Sequence, residues 1–391
     1  MAVNIIIRIS IVVAVLLATL GCASLGLNKY VPLNQSEQYY DYIQPTFSEY
    51  LDTTEAWLRI NRTYITPEHE REIVMNMPFE LSPEQPTDKA ILLVHGLGDS
   101  PFSFSDLAVS LRNQGFYVQS LLLPGHGSKP EDLQLSTYAD WQAIVDHYAS
   151  LLKEDYLEVW LGGFSTGGNL VTIHALEQGG ISGLILLSPG FQSRAPILER
   201  FAPLVSVFTD GYSAEERNIV RYTSAPIKGA IAYLESAVRL RSLLEAGSVT
   251  VPTLIVMSEA DSVVDPTAIE KMYKISFNNP RNQLVWYGES KPDAPSAMAL
   301  TMRLENQKIS TGSHMSPLFA PSNPYYGERG DHRMCMNSFD DGATTRCERG
   351  EEVWYSAWGY EEIGKIHARL TWNPYYTDLE RTIKNIVQDT L

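Results

Sequence analysis

The chain has 391 residues, of which 44% are hydrophobic and 19% are charged. These proportions are those of an ordinary globular protein and exclude a disordered or fibrous one. The formal net charge of −16 at pH 7 argues against nucleic acid as a partner, because phosphate backbones bind to basic surfaces.

An apolar stretch near the N-terminus, Ile9–Leu20, follows Arg8. It is too short for a spanning helix, and its length suits the apolar region of a secretory signal. It ends in Thr19-Leu20-Gly21-Cys22, which resembles a bacterial lipoprotein signal. The resemblance implies that residues 1–21 are a signal peptide and that lipid on Cys22 anchors the protein in the cell envelope, at the outer membrane facing the periplasm. An uncleaved anchor or ordinary signal peptidase cleavage is the alternative.

Residues 22–85 are predicted to form a helical N-terminal extension and a linker. Apolar side chains between Glu37 and Ile60 recur with a partial 3.6-residue period, and a Pro-rich stretch follows at Pro78–Pro86. Residues 86–391 are predicted to form one α/β domain with a mostly parallel sheet, because strands alternate with helices there. The predicted strands are 90–94, 116–122, 157–161, 184–187, 253–257 and 283–286, and the predicted helices are 102–114, 138–152 and 169–177.

The segment between the strands at 184–187 and 253–257 is much longer than an ordinary α/β connection. It has helical character without β alternation, which predicts a helical cap at about residues 190–250. Its apolar side chains, Phe191 among them, favour an acyl pocket.

The strand at 157–161 leads into Gly163-Phe164-Ser165-Thr166-Gly167 and then a helix. A Gly-x-Ser-x-Gly between a strand and a helix is typical of the nucleophile elbow. The serine lies on a strained turn, and glycine two residues before and after it avoids clashes with the neighbouring backbone. The pattern predicts Ser165 as the nucleophile. The alternative is a Gly-rich turn for close packing or for a phosphate, although no Lys supports a phosphate.

The strand at 90–94 is followed by His95-Gly96-Leu97. A turn at this place aims a backbone N–H at a developing oxyanion, so we expect Leu97 and Thr166 to donate to it. We expect His95 to stabilise the turn rather than to act as a base.

Several segments together resemble the carboxylesterase and monoacylglycerol lipase branch of the α/β-hydrolases, a group of the serine aminopeptidase S33 type. They are His-Gly at 95–96, Leu-Pro-Gly-His-Gly at 123–127, Asp140-Trp141 and the elbow at Ser165. Order and spacing agree from about Ala90 to Asp265. The resemblance implies an α/β-hydrolase fold with a helical cap, and it implies a structural role for His126.

The resemblance also indicates the catalytic acid. Ser258-Glu259-Ala260-Asp261 follows the strand at 253–257, and Asp261 matches the family's acid, which orients the imidazole. Asp265 is the competing residue, although its position before Pro266 suits a helix cap. Glu259 is a third candidate.

In this fold the base is a histidine that follows the acid in the chain. His314, His332 and His367 lie beyond Asp261. More than twenty residues separate the strand at 283–286 from His314, so an insertion is expected, with residues 308–310 as a short extra strand. Chain order and the preceding Gly-Ser turn favour His314 as the base, with His332 second.

Cys335 and Cys347 flank a polar segment typical of a surface loop. In an oxidising compartment they are expected to form a disulfide worth roughly 3 kcal/mol, and two free thiols are the alternative. No His-x-x-x-His or Cys-x-x-Cys occurs, so neither a metal nor a cofactor is expected.

The sequence thus predicts a serine hydrolase that cleaves small acyl esters, such as monoacylglycerol or lysophospholipid, through an acyl-enzyme on Ser165. A thioesterase, a peptidase or an acyltransferase with the same triad is the alternative, as is a lipoprotein that only binds a partner.

Overall fold

The computed structural model describes residues 35–194 and 210–388. The predicted signal segment, Cys22 and part of the predicted cap lie outside these residues. Within them, no helix combines the length and the apolar character that crossing a membrane requires.

The helices of the described residues are α1 (Phe47–Asn61), α2 (His69–Asn76), α3 (Ser105–Asn113), α4 (Tyr138–Asp155), α5 (Thr166–Glu177), α6 (Ile227–Ala246), α7 (Pro266–Ser276), α8 (Asp341–Glu348) and α9 (Tyr376–Gln388). The strands are β1 (Phe79–Leu81), β2 (Lys89–Val94), β3 (Tyr117–Leu121), β4 (Glu158–Phe164), β5 (Gly183–Leu187), β6 (Gly211–Tyr212), β7 (Ala225–Pro226), β8 (Thr253–Ser258), β9 (Gln283–Tyr287), β10 (Ala297–Leu300), β11 (Trp354–Ser356) and β12 (His367–Arg369).

In the described part of the chain, eight strands form one sheet in the order β1-β3-β2-β4-β5-β8-β9-β10. All neighbours are parallel except β1 and β3. Helices α4 to α7 bury apolar side chains on one face, and α3 and α9 do so on the other. The predicted α/β fold is confirmed, and because parallel strands end at one edge, the loops after β2, β4 and β8 meet there.

The N-terminal segment is more closely built into the domain than the sequence suggested. The predicted linker contains β1, which pairs antiparallel with β3, so residue 85 is not a boundary of the sheet. Prolines flank this strand without harm because it lies at the edge. The predicted helix at 37–60 begins only at Phe47, after Pro45. Its Tyr50 binds the backbone after β3: Tyr50 Oη accepts from the amide of Leu122 (3.0 Å) and donates to the carbonyl of the same residue (2.9 Å).

The predicted cap at 190–250 is partly a layer of the domain itself. Helix α6 contributes Leu240 and Leu244 to the core that α4 and α5 also form. Residues 195–209 of this segment lie outside the described residues. After them, the structure describes the short β6–β7 pair and α6.

A second long segment, residues 288–375, lies between β9 and α9. It contains the insertion that the sequence predicted before His314. It adds β10, which the sequence did not reveal because this short edge strand is only partly buried and so lacks a clear apolar pattern. The extra strand predicted at 308–310 is wrong: Ile309 forms only isolated bridges to Leu304 and Tyr355.

The insertion has its own small framework. β11 pairs parallel with β12, and Cys335 and Cys347 form the predicted disulfide, with their Cα atoms 5.5 Å apart. Both sulfurs are buried against Val353 and Ala368. The cross-link therefore fastens the loop around residue 335 to α8, and both cysteines pack against residues of the β11–β12 region.

Candidate active site

Ser165 lies between β4 and α5 on a strained turn, with φ 52° and ψ −116°. A non-glycine residue with positive φ is costly and persists only where its surroundings enforce it. The amide of Ser165 donates to Leu187 O (3.1 Å), and Ser165 O accepts from Gly190 N (2.8 Å). Neighbouring loops thus hold this serine in its unusual conformation.

The two glycines of the elbow allow the backbone to approach closely. A Cβ on Gly167 would lie 1.9 Å from Val94 O, and a Cβ on Gly163 would lie 2.5 Å from Gly167 O. Both distances are far below any tolerable contact, so the glycines are required for the turn, as the sequence predicted.

The turn after β2 lies directly against the nucleophile. A Cβ on Gly96 would be 3.0 Å from the Cβ of Ser165, and Asp99 N donates to Gly96 O (3.2 Å). Within the described residues, the amides of Leu97 and Thr166 have no acceptor. Thr166 is the first residue of α5, whose N-terminus favours negative charge. Both amides are therefore available for the predicted role as oxyanion donors.

Two buried histidines clamp this turn to the loop after β3. Leu123 N donates to His95 Nε2 (3.0 Å), and Gly98 N donates to His126 Nε2 (3.0 Å). Both Nε2 atoms are thus acceptors, while Nδ1 faces Gly96 O in His95 and Leu123 O in His126. Burial lowers the pKa of His95 well below its usual value and that of His126 to about 4. Neutral imidazoles therefore fix the turn, and neither acts as a base.

Asp261 follows β8 and is fully buried. Its Oδ1 accepts from the amides of Val263 (2.8 Å) and Val264 (3.0 Å), and its Oδ2 lies 2.6 Å from His314 Nδ1. Three donors satisfy the carboxylate, which suits the charged form. Nδ1 consequently carries the proton, and Nε2 of His314 is left with a free lone pair.

The competing acids have other contacts. Asp265 Oδ1 accepts from Thr267 N (3.0 Å) and Ala268 N (3.2 Å), so it caps α7 as expected. Glu259 Oε2 accepts from Glu289 N (2.6 Å) and Ser290 N (3.1 Å) and thereby holds the first turn of the insertion.

His314 is buried, and the centre of its ring lies 4.9 Å from that of Phe164, the residue that directly precedes Ser165. Ser313 fixes its backbone: Ser313 Oγ donates to Leu370 O, and Met315 N donates to Ser313 Oγ (3.1 Å). His332 has no carboxylate partner within the described residues and stacks on Tyr325 instead. Burial lowers its pKa to about 4. The geometry thus favours His314 over His332.

Three arginines near the site were not found from the sequence. Arg194 donates to Asp261 O, Arg221 Nη1 donates to Asp99 Oδ2 (2.9 Å), and Arg369 comes from the insertion. None of them belongs to a motif. They reach the site by tertiary contact alone, so no local pattern marks them.

In the described part of the chain, no group of three or more His, Cys, Asp or Glu residues is arranged to hold a metal ion. The Asp261–His314 pair and the strained elbow at Ser165 suit nucleophilic catalysis by protein groups.

Residues 85–228 match the family model of the serine aminopeptidases S33. This range contains the turn after β2 and the elbow of the sheet just described. The chain has the α/β-hydrolase fold.

The chain is similar to a thermostable monoacylglycerol lipase of a Bacillus species, which is 27% identical over 184 residues, or 45% of this chain and 72% of that protein. A carboxylesterase of Bacillus subtilis is 24% identical over 221 residues, or 52% of this chain and 84% of the relative. Among solved structures, one from a study of two metagenome-derived lipolytic enzymes has 22% identity and a TM-score of 0.48, covering 56% of this chain and 90% of that one.

The buried His126 makes stability depend on pH. It stays neutral in the folded state down to about pH 4, whereas in the unfolded chain it takes up a proton near pH 6.5. The unfolded state therefore binds more protons as the pH falls from 6.5 to 4, and the free energy of unfolding decreases by about 3 kcal/mol for this group alone. Urea unfolding followed by tryptophan fluorescence should show a smaller decrease in His126→Gln than in the wild type. His69→Gln, at an exposed histidine, is the control, and equal decreases in wild type and His126→Gln would contradict the assignment.

Proposed function

We propose that this protein is a serine hydrolase that cleaves carboxylic esters through an acyl-enzyme on Ser165. The observation that carries the proposal is the 2.6 Å contact between His314 Nδ1 and buried Asp261, next to a serine on a strained elbow. Both relatives named above, a monoacylglycerol lipase and a carboxylesterase, are ester hydrolases by name.

The reaction has two halves. His314 Nε2 takes the hydroxyl proton as Ser165 Oγ attacks the ester carbonyl, and Asp261 stabilises the imidazolium that forms. The oxyanion is held by the amides of Leu97 and Thr166, each worth about 2.7–4 kcal/mol in such a site. His314 then gives its proton to the leaving alcohol, which departs and leaves an acyl-enzyme. In the second half, His314 Nε2 takes a proton from water as the water attacks the acyl carbonyl. The imidazolium then returns the proton to Ser165 Oγ, and the carboxylic acid is released.

Small acyl esters with one chain, such as monoacylglycerol or lysophospholipid, are the proposed substrates. The monoacylglycerol lipase relative supports this class, as do the apolar residues that the sequence has between 201 and 208 in the predicted cap. Phe191, also predicted to line an acyl pocket, is instead a buried residue of the domain core. A thioesterase, a peptidase or an acyltransferase would use the same three residues, but no contact in the described residues favours any of them.

Replacing Ser165 with alanine removes the nucleophile. We expect kcat/KM toward p-nitrophenyl esters of graded chain length to fall on the order of 10⁴-fold or more, with folding unchanged. Ser150→Ala, at an exposed position of α4, is the matched control and should keep wild-type activity. Undiminished hydrolysis by Ser165→Ala would overturn the proposal.

We also propose that the mature chain begins at Cys22 and carries lipid there, so that the protein is anchored at the bacterial outer membrane and faces the periplasm. The apolar stretch Ile9–Leu20 and the following Leu-Gly-Cys support this, as does the Cys335–Cys347 disulfide, since disulfides persist in oxidising compartments. Several acyl chains would give stable anchoring where one would not.

Removing the acceptor thiol tests the anchor. We expect the Cys22→Ser variant to be found in the soluble fraction instead of the membrane fraction. Its kcat/KM toward a soluble p-nitrophenyl ester should stay within twofold of wild type. The intact mass of the purified wild type should exceed that of the unmodified chain from residue 22 by the mass of its acyl groups. A wild-type mass without acyl groups would contradict the proposal.

A further inference from the structure

Arg369 ends β12 and lies beside the segment that carries the proposed base. Its amide donates to Met334 O (3.0 Å), and the carbonyl of the next residue, Leu370, accepts the hydroxyl of Ser313. Ser313 directly precedes His314. The insertion thus brings an arginine next to the histidine that acts on the leaving group.

The guanidinium of Arg369 is hydrogen-bonded to the protein through its Nε atom. Its Nε donates to Asn337 Oδ1 (2.9 Å), and Asn337 is itself buried and donates from Nδ2 to Ser356 Oγ (3.1 Å) and Ala357 O (3.0 Å). Because a guanidinium is planar, fixing Nε also orients the two terminal nitrogens. Within the described residues, neither of these has a carboxylate partner.

The charges around Arg369 are otherwise paired. Asp99 is bound by Arg221 at 2.9 Å, and Asp261 is bound by His314 at 2.6 Å. Burial and then the cation of Arg221 lower the pKa of Arg369 to about 9, although Asp261 acts in the opposite direction. The side chain therefore remains a cation at neutral pH, half-buried beside the site, and no carboxylate of the described residues pairs with it. A partly desolvated cation of this kind is stabilised by an anionic ligand.

We infer that Arg369 binds an anionic group on the alcohol part of the substrate, so that the preferred esters are acyl esters of an acidic alcohol, with a phosphate or a carboxylate. This inference rests on the proposed function. His314 must reach the leaving oxygen to protonate it, so the alcohol lies on the His314 side, which is the side that Arg369 adjoins. The terminal nitrogens of a guanidinium match the paired oxygens of phosphate and carboxylate. Arg221 adds positive potential without being free to bind, since Asp99 occupies it.

The test compares esters that share an acyl chain. The phosphate arm uses 1-acylglycerol and 1-acylglycerol 3-phosphate below their micelle-forming concentrations, and the carboxylate arm uses p-nitrophenyl butyrate and 3-carboxy-4-nitrophenyl butyrate. In Arg369→Gln we expect kcat/KM for the preferred anionic ester to fall at least tenfold, mainly through KM, while the neutral ester stays within twofold. Arg349→Gln, an exposed arginine of the same insertion, should change neither ester. The arm with the larger loss identifies the anion.

Equal losses for neutral and anionic esters in Arg369→Gln would show that the residue only supports the insertion and would overturn the inference. Unchanged turnover of both anionic esters would overturn it as well. Retained turnover of the neutral ester shows that the variant is folded. The proposed function fails separately, if the wild type hydrolyses none of the four esters.

Discussion

The carboxylate of Asp261 joins the parts of the molecule on which the site depends. One oxygen takes two amides of its own loop after β8, and the other takes the imidazole of His314 at 2.6 Å, across 53 residues of chain. An ionised carboxylate in a fully buried position is tolerated because three donors satisfy it. Removing one of these donors would leave a buried charge less well satisfied, so the loop, the histidine and the insertion that carries it are energetically coupled.

The parallel sheet places the Asp261–His314 contact close to the nucleophile, because three strands end at the same edge of the sheet. β2 ends at the turn that bears Leu97, β4 ends at Ser165, and β8 ends before Asp261. Close backbone approach at Gly167 and Gly96 brings the first two loops together. His95 and His126 then lock the oxyanion turn to the loop after β3. The fourth component, His314, comes from outside the sheet and needs the insertion to place it.

Much of the fold and part of the candidate site could be predicted from local signals. β2, β5 and β8 contain continuous apolar runs, and the other predicted strands are rich in apolar residues. The elbow has a residue pattern that only a strand, a tight turn and a helix explain. Asp265 also took the structural role that its context indicated, and His126 took the one that the family resemblance implied. Except at His126, whose ring binds the amide of Gly98, the features that decide these assignments lie within a few residues of each other in the chain.

The remaining features depend on contacts between distant segments. β1 and β10 are short edge strands, and half-buried edges leave little apolar periodicity to read. The choice of His314 over His332 rests on which histidine meets Asp261, and no local pattern contains that information. Arg221 and Arg369 have no motif, since their positions near the site follow from how the insertion and the segment before α6 pack.

In the proposed mechanism an insertion after β9 supplies the base, and paired histidine variants test this most directly. Kinetics of His314→Ala and His332→Ala toward one p-nitrophenyl ester, with circular dichroism to confirm folding, separate the two candidates. We expect kcat to fall on the order of 10⁴-fold or more in His314→Ala, because Ser165 would lose its proton acceptor, and to stay within a few-fold of wild type in His332→Ala. Full activity in folded His314→Ala, or the large loss in His332→Ala instead, would contradict the account.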